Sequence, residues 1–210
     1  MGLPVLVMGR SGSGKTTSIR NMKDTLVINV LNKAMPFKMN SETLKQYPCS
    51  EYLKVRKILE EAANRGYKKI VIDDSTYIMT IKFMENHRTQ KGNAIFELYN
   101  EIADSMYGLV QSVINLPNDV RVYFISHEQV DDYGNIKPKS IGKMLDEKIV
   151  YEGMFTIVLR ALKRDGEYLF ATRTDGNDVT KTPIGLFDEE FIPNDLNLVD
   201  EKIKEYYNFQ

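Results

Sequence analysis

Tryptophan is absent from this chain, cysteine occurs once and histidine twice. A single cysteine, Cys49, excludes a disulfide framework and a cysteine zinc site, and the cytoplasm is the expected compartment. Charge of either sign is not in excess: 28 Lys and Arg against 29 Asp and Glu leave a formal net charge of −1. A field so close to neutral does not draw nucleic acid to the whole surface, so any such binding must come from local basic loops. No apolar run approaches the ~20 residues of a membrane-crossing helix, so no membrane partner is expected. The opening residues lack the basic stretch of a signal peptide. Gly2 suggests N-myristoylation, but Pro4-Val5-Leu6 reads as buried strand, which argues against it. What is present is ordinary: 210 residues, 42% hydrophobic and 27% charged, enough for one domain with a substantial core.

Apolar β-rich runs alternate with helical patterns, the signature of an α/β fold with a mainly parallel sheet. Strands are expected at Val5 to Met8, Leu26 to Leu31, Lys69 to Asp73 and Val120 to Ser126. Helices are expected from about Lys15 to Lys23, from Glu51 to Arg65 with Gly66 as cap, and from Asn93 to Leu116. Asn32 to Ser50 reads as irregular, Met79 to Gly92 as mixed, and Glu128 to Ser140 as a polar loop before a helix over about 141–152. Near the end, Met154 to Leu162 and Glu167 to Thr174 alternate as strands do, joined by the hairpin signal Arg164-Asp165-Gly166. A last helix is expected over Leu196 to Tyr207. Met79, Met84, Met106, Tyr99 and Tyr107 sit at helical spacing and read as core.

The run Gly9-Arg10-Ser11-Gly12-Ser13-Gly14-Lys15-Thr16, followed by Thr17, satisfies the phosphate-loop pattern G-x-x-x-x-G-K-[ST]. An apolar strand precedes it and a helical pattern follows. Its glycines let backbone N–H groups turn inward as an anion nest, at the N-terminal end of the next helix. Lys15 is placed to reach the β- and γ-phosphates of ATP, and Thr16 to put its hydroxyl on Mg²⁺.

Ile70-Val71-Ile72-Asp73-Asp74 is a buried strand ending in two carboxylates. Asp73 is expected to face the metal, and Asp74 to orient or deprotonate the attacking water; Asp74 also suits a helix N-cap. A GTPase would require Asp-x-x-Gly after this strand, and the sequence reads Asp73-Asp74-Ser75-Thr76. A strand–helix unit separates the two motifs, and the fourth strand ends in Ser126-His127-Glu128. The strand-end rule for α/β sheets turns Ser126 and His127 toward the nucleotide, where P-loop ATPases with a strand inserted between these two motif strands place a polar γ-phosphate sensor.

The segments GRSGSGKTT (9–17), VINVLNKAMPF (27–37), IVIDDS (70–75), FISHE (124–128) and KTPIGLF (181–187) give the chain its resemblance. It resembles the RecA-like ATPases of tailed phages in the single-strand-annealing recombination group. The resemblance implies a RecA-like three-layer P-loop NTPase with a C-terminal β-hairpin extension, residues 1–210 forming one domain. It further implies ATP and Mg²⁺ binding, single-stranded DNA as partner, and assembly as a homo-oligomeric ring or filament. The DNA loop would then be 131–143, with Lys137, Lys139 and Lys143 toward phosphates and Tyr133 toward a base. Arg173 and Lys181 become candidates for a cation donated to a neighbour's site. One departure is plain: the stretch Asn29 to Lys33 carries no carboxylate where RecA has its catalytic Glu, which leaves Asp74 or Glu128 for hydrolysis. A small-molecule kinase and an ATP-gated binding protein with negligible turnover remain the rival readings.

Overall fold

The computed structural model describes residues 1–141 and 149–209. Strand β1 (Leu3–Gly9) is buried along its whole length, because it lies at the middle of a sheet covered on both faces. β2 (Thr25–Asn29), β3 (Leu44–Pro48), β4 (Lys69–Asp73), β5 (Arg121–Val130) and β7 (Ile157–Arg164) join it in parallel. β8 (Glu167–Ala171) and β9 (Phe191–Pro193) continue the sheet antiparallel, and β6 (Ile136–Pro138) pairs with the far end of β5. The strand order is β3-β2-β4-β5-β1-β7-β8-β9. β5 therefore stands between the phosphate-loop strand β1 and the acidic strand β4, and the C-terminal hairpin extension is present. The architecture is α/β with a mostly parallel central sheet.

Period-two alternation sorts the strand residues onto two faces. Leu6, Met8, Ile72 and Phe124 meet α1 (Tyr52–Asn64), α2 (Thr76–Asn86) and α3 (Ala94–Ile114). Val5, Val7, Val71 and Tyr123 meet α4 (Leu196–Tyr207) and a 3₁₀ turn at Thr16–Asn21. Helices on both faces make three layers. No helix among the described residues is long and apolar enough to cross a membrane.

Several expectations need correction. The helix expected from Lys15 to Lys23 is only that six-residue 3₁₀ turn, so the phosphate loop gains little from a helix macrodipole, which needs several aligned turns. The irregular 32–50 stretch contains β3, a mostly exposed edge strand with only Leu44 buried. The mixed 79–92 stretch overlaps α2, whose Ile78 and Met79 are core. The polar loop after Ser126 is instead a β-ribbon, since β5 runs on to Val130 and turns back through β6. Residues 142–148, the heart of the expected 141–152 helix, lie outside the described residues, and Tyr151–Met154 is a 3₁₀ turn. Met79 and Met106 are buried, but Met84 and Tyr107 are exposed and do not belong to the core.

A buried ion pair ties α4 to the sheet. Nε and Nη2 of Arg121 each donate to Asp200 at 2.8 Å, and the Tyr123 hydroxyl donates to the same carboxylate at 2.5 Å. The Arg121 and Asp200 side chains are 3% and 1% exposed. Removing one partner of such a pair strands a charge and a hydroxyl in the interior, which costs about 3–5 kcal/mol. Asp200→Ala is thus expected to lower stability by that amount in denaturant unfolding. A loss under about 1 kcal/mol would show that water reaches the pair.

Candidate functional site

The parallel strands end at one edge of the sheet, and the chemistry-bearing residues gather there. β1 ends at Gly9, and the loop that follows passes Gly12 and Gly14 at φ of 79° and 88°. Side chains resist that region, so glycine is needed; at Gly14 a Cβ would also stand 3.0 Å from the Tyr168 ring. Among the described residues, no acceptor engages the N–H groups of Gly12, Gly14 or Lys15. They form the donor set of an anion nest.

Lys15 folds back over its own loop. Its Nζ donates to Gly9 O at 2.8 Å and Arg10 O at 2.7 Å. Burial drives its pKa down to about 8, against the pull of Asp74, Glu128 and Asp73. The ammonium is therefore protonated at neutral pH while poorly solvated, a state that a polyphosphate would stabilise.

Thr16 Oγ1 donates to Asp73 Oδ1 at 2.9 Å, so the two expected metal-facing groups meet across 57 residues of chain. Burial, then the neighbouring Asp74 charge, pushes the Asp73 carboxyl up to about 6. Such a carboxylate lacks a full counter-charge. Mg²⁺ fits this donor set: it takes one or two protein oxygens and completes its shell with water and substrate phosphates. The described residues hold no group of three or more His, Cys, Asp or Glu that could bind a metal by themselves.

Asp74 occupies a left-handed conformation, φ 60°, which turns the chain sharply from β4 into α2 and is tolerated by Asp. Its Oδ2 pairs with Lys33 Nζ at 2.5 Å, and its Oδ1 lies 3.5 Å from His127 Nε2. Burial alone would raise the Asp74 pKa, but His127 and Lys33 outweigh it and hold the carboxyl below its ordinary value. Of the adjacent pair, Asp73 thus takes the proton first. Lys33 is held in place from β2, because Asn29 brackets the turn through Lys33 N (3.2 Å) and Lys33 O (2.7 Å).

The other expected residues divide. His127 lines the same cleft as Lys15, Thr16, Thr17 and Asp74, a space of about 690 Å³. Ser126 does not: it is buried, with its Oγ 2.7 Å from Ser75 Oγ, so of the two strand-end residues only His127 faces the cleft. Glu128 is engaged elsewhere. It pairs with Arg160 from β7 at 2.9 Å and with Arg10 at 3.3 Å, a bridge over the end of β1. A carboxylate so neutralised is a poor base. Arg173 is exposed and donates to Phe187 O and Asp188 O, and Lys181 pairs its backbone with Val158. Neither lines the cleft.

Sequence reasoning missed Lys33, Arg160 and Asn194. A charge inside the apolar run Ile157–Arg164 was a visible signal for Arg160. The strand-end rule applied to β2 would have pointed to the 29–33 turn. Nothing local marks Asn194. Lys143, in the expected DNA loop, lies outside the described residues. Tyr133 is 92% exposed at the tip of the β5–β6 ribbon. Asp131 organises that tip, accepting from the N–H groups of Tyr133 (2.9 Å) and Asn135 (2.8 Å).

A family model described as AAA domain matches residues 1–183. No curated protein matches the chain. Among solved structures, the Legionella pneumophila ATPase DotB is similar at a TM-score of 0.42 and 10% identity, over 100% of this chain. The chain spans 53% of the length of that DotB chain.

Proposed function

The chain belongs to the AAA domain family, and on that premise we propose that residues 1–210 act as one Mg²⁺-dependent ATPase domain that engages single-stranded DNA. The observation that carries the ATPase half is the meeting of Lys15, Thr16 and Asp74 around one cleft, with Asp73 joined to Thr16 just behind its wall. When bound, Mg²⁺ supplies positive charge to the phosphate oxygens. The protein's own part is as follows. Lys15 leaves the carbonyls of Gly9 and Arg10 for phosphate oxygens, and the loop amides hold the rest of the anion. Asp74 accepts a hydrogen bond from a water and aims it at the γ-phosphorus, and as that water attacks its proton passes to a γ-phosphate oxygen. The bond to the bridging oxygen breaks, giving ADP and phosphate. Lys33 and His127 orient Asp74. Arg173 and Lys181, which do not line their own cleft, are assigned to a neighbouring subunit's site in an oligomer.

The DNA half is supported by the course of β5. That strand carries His127 at the cleft and continues into the ribbon that holds Tyr133 and Lys137, with Lys139 just beyond it. The finer reading, a RecA-like recombination or replication ATPase of the kind tailed phages encode, rests on the sequence resemblance. A kinase would instead need a second, acceptor pocket served by the same phosphate loop.

Turnover measured with single- and double-stranded DNA tests the proposal. Stimulation by the single strand alone is expected. Lys137→Ala with Lys139→Ala should flatten the salt dependence of binding by about two phosphate contacts, roughly 1.4 in the slope of log K against log salt, with ATP affinity unchanged. An unaltered slope would remove the ribbon from the DNA site, and turnover indifferent to DNA would remove the DNA role.

A further inference from the structure

The cleft along the phosphate loop has two unlike ends. Asp74, Lys33 and His127 stand at one. Past Thr17 and Arg20, the other is walled by Tyr168, Pro193 and Asn194 from β8, β9 and the residue after it. At about 690 Å³ the space suits a whole small-molecule ligand rather than an anion alone. Because Thr16, Asp73 and Asp74 take the γ-phosphate end, whatever is attached to the α-phosphate must extend toward Tyr168.

We propose that Tyr168 and Asn194 form the nucleoside subsite of this cleft, the Tyr168 ring stacking on the base and the Asn194 amide donating to an acceptor on base or ribose. The inference rests on the triphosphate reading above. Tyr168 is 47% exposed, yet its ring has fixed neighbours: the Gly14 backbone beneath one edge and Lys163 Nζ 5.3 Å from the ring centroid. A ring held this way and open to the cleft is a ready stacking surface.

Asn194 supplies the second, independent observation. It is 5% exposed, and its backbone is fully used, N–H to Tyr168 O at 3.2 Å and C=O from Arg20 at 3.0 Å. Its Oδ1 lies 3.1 Å from where a Cβ on Gly14 would stand. Its Nδ2 is buried with no acceptor among the described residues. Buried amide donors are nearly always satisfied, and a residue on the cleft wall with an unmet donor is matched by a ligand acceptor. Gly14 joins the two functions, since its missing side chain both permits the nest and lets Tyr168 and Asn194 close onto the loop.

Calorimetric titration with Mg·ATP and with Mg·tripolyphosphate tests this. The wild-type protein should bind ATP more tightly than tripolyphosphate. Tyr168→Ala and Asn194→Ala should each weaken ATP about tenfold, a modest stacking or hydrogen-bond contribution, and leave tripolyphosphate unchanged; Tyr168→Phe should retain ATP affinity. Tripolyphosphate binding doubles as the check that each variant is folded. Equal wild-type affinity for the two ligands, or an undiminished ATP preference in both alanine variants, would overturn the subsite while leaving the phosphate loop intact. Binding of neither ligand by the wild type would overturn the triphosphate reading itself, and the subsite with it.

Discussion

Lys15→Ala is expected to lower the affinity for Mg·ATP by at least about 100-fold, or roughly 3 kcal/mol. Lys15 is 7% exposed, and its ammonium is held by only two carbonyl oxygens. Each charge-assisted bond to phosphate is worth about 1.5–3 kcal/mol, and two such bonds replace the carbonyl contacts on binding. The wild-type pH profile should carry the same signature. Affinity should fall above about pH 8 as Lys15 loses its proton, and below about pH 6 as Asp73 gains one. The profile of log affinity should therefore be bell-shaped, reporting the groups of the free protein. An Ala variant that binds within threefold of wild type would remove Lys15 from the phosphate site.

Asp73→Asn should move binding and stability in opposite directions. The folded protein holds the Asp73 proton more tightly than the unfolded chain does, with a pKa of about 6 against an ordinary 3.8. Below about pH 4 the group is neutral in both states and costs nothing. Between about pH 4 and 6 the unfolded chain has given up this proton while the folded state still holds it, so the cost grows through that window and is complete above 6. Two pKa units correspond to about 3 kcal/mol. The Asn variant, lacking this charge, should unfold later than wild type at pH 7 and at nearly the same point at pH 4. It should also lose the Mg²⁺ dependence of nucleotide binding, because the amide offers no charge to a hard cation. Thermal unfolding with and without Mg·ATP reads both effects. A variant less stable than wild type at pH 7 that still responds to Mg²⁺ would contradict the assignment.

The parts of the fold legible in the sequence are those whose apolar pattern is set by burial on known faces. β1, β4 and the body of β5 are apolar because both faces are covered, and α1 and α3 carry one buried stripe each. β3 was invisible because an edge strand reading Leu-Lys-Gln-Tyr-Pro buries one residue. α2 was obscured by β-branched and aromatic residues that favour strands as readily as helices. At the site the phosphate loop and Asp73 were legible because spacing within a few residues encodes them. Lys33, Arg160 and Asn194 reach the site only through strand order: β2 beside β4, β7 beside β1, and β9 beyond β8. That order also brings Arg160 within 2.9 Å of Glu128.

At the centre stands a claim about metal-assisted capture of a triphosphate by residues 9–17 with Asp73 facing Thr16. Titrating ATP into the folded protein at fixed pH, with Mg²⁺ and then with the cation chelated, addresses it most directly. The account predicts saturable binding at one site that weakens at least tenfold when Mg²⁺ is removed. Affinity indifferent to Mg²⁺, or no binding of ATP at all, would contradict it.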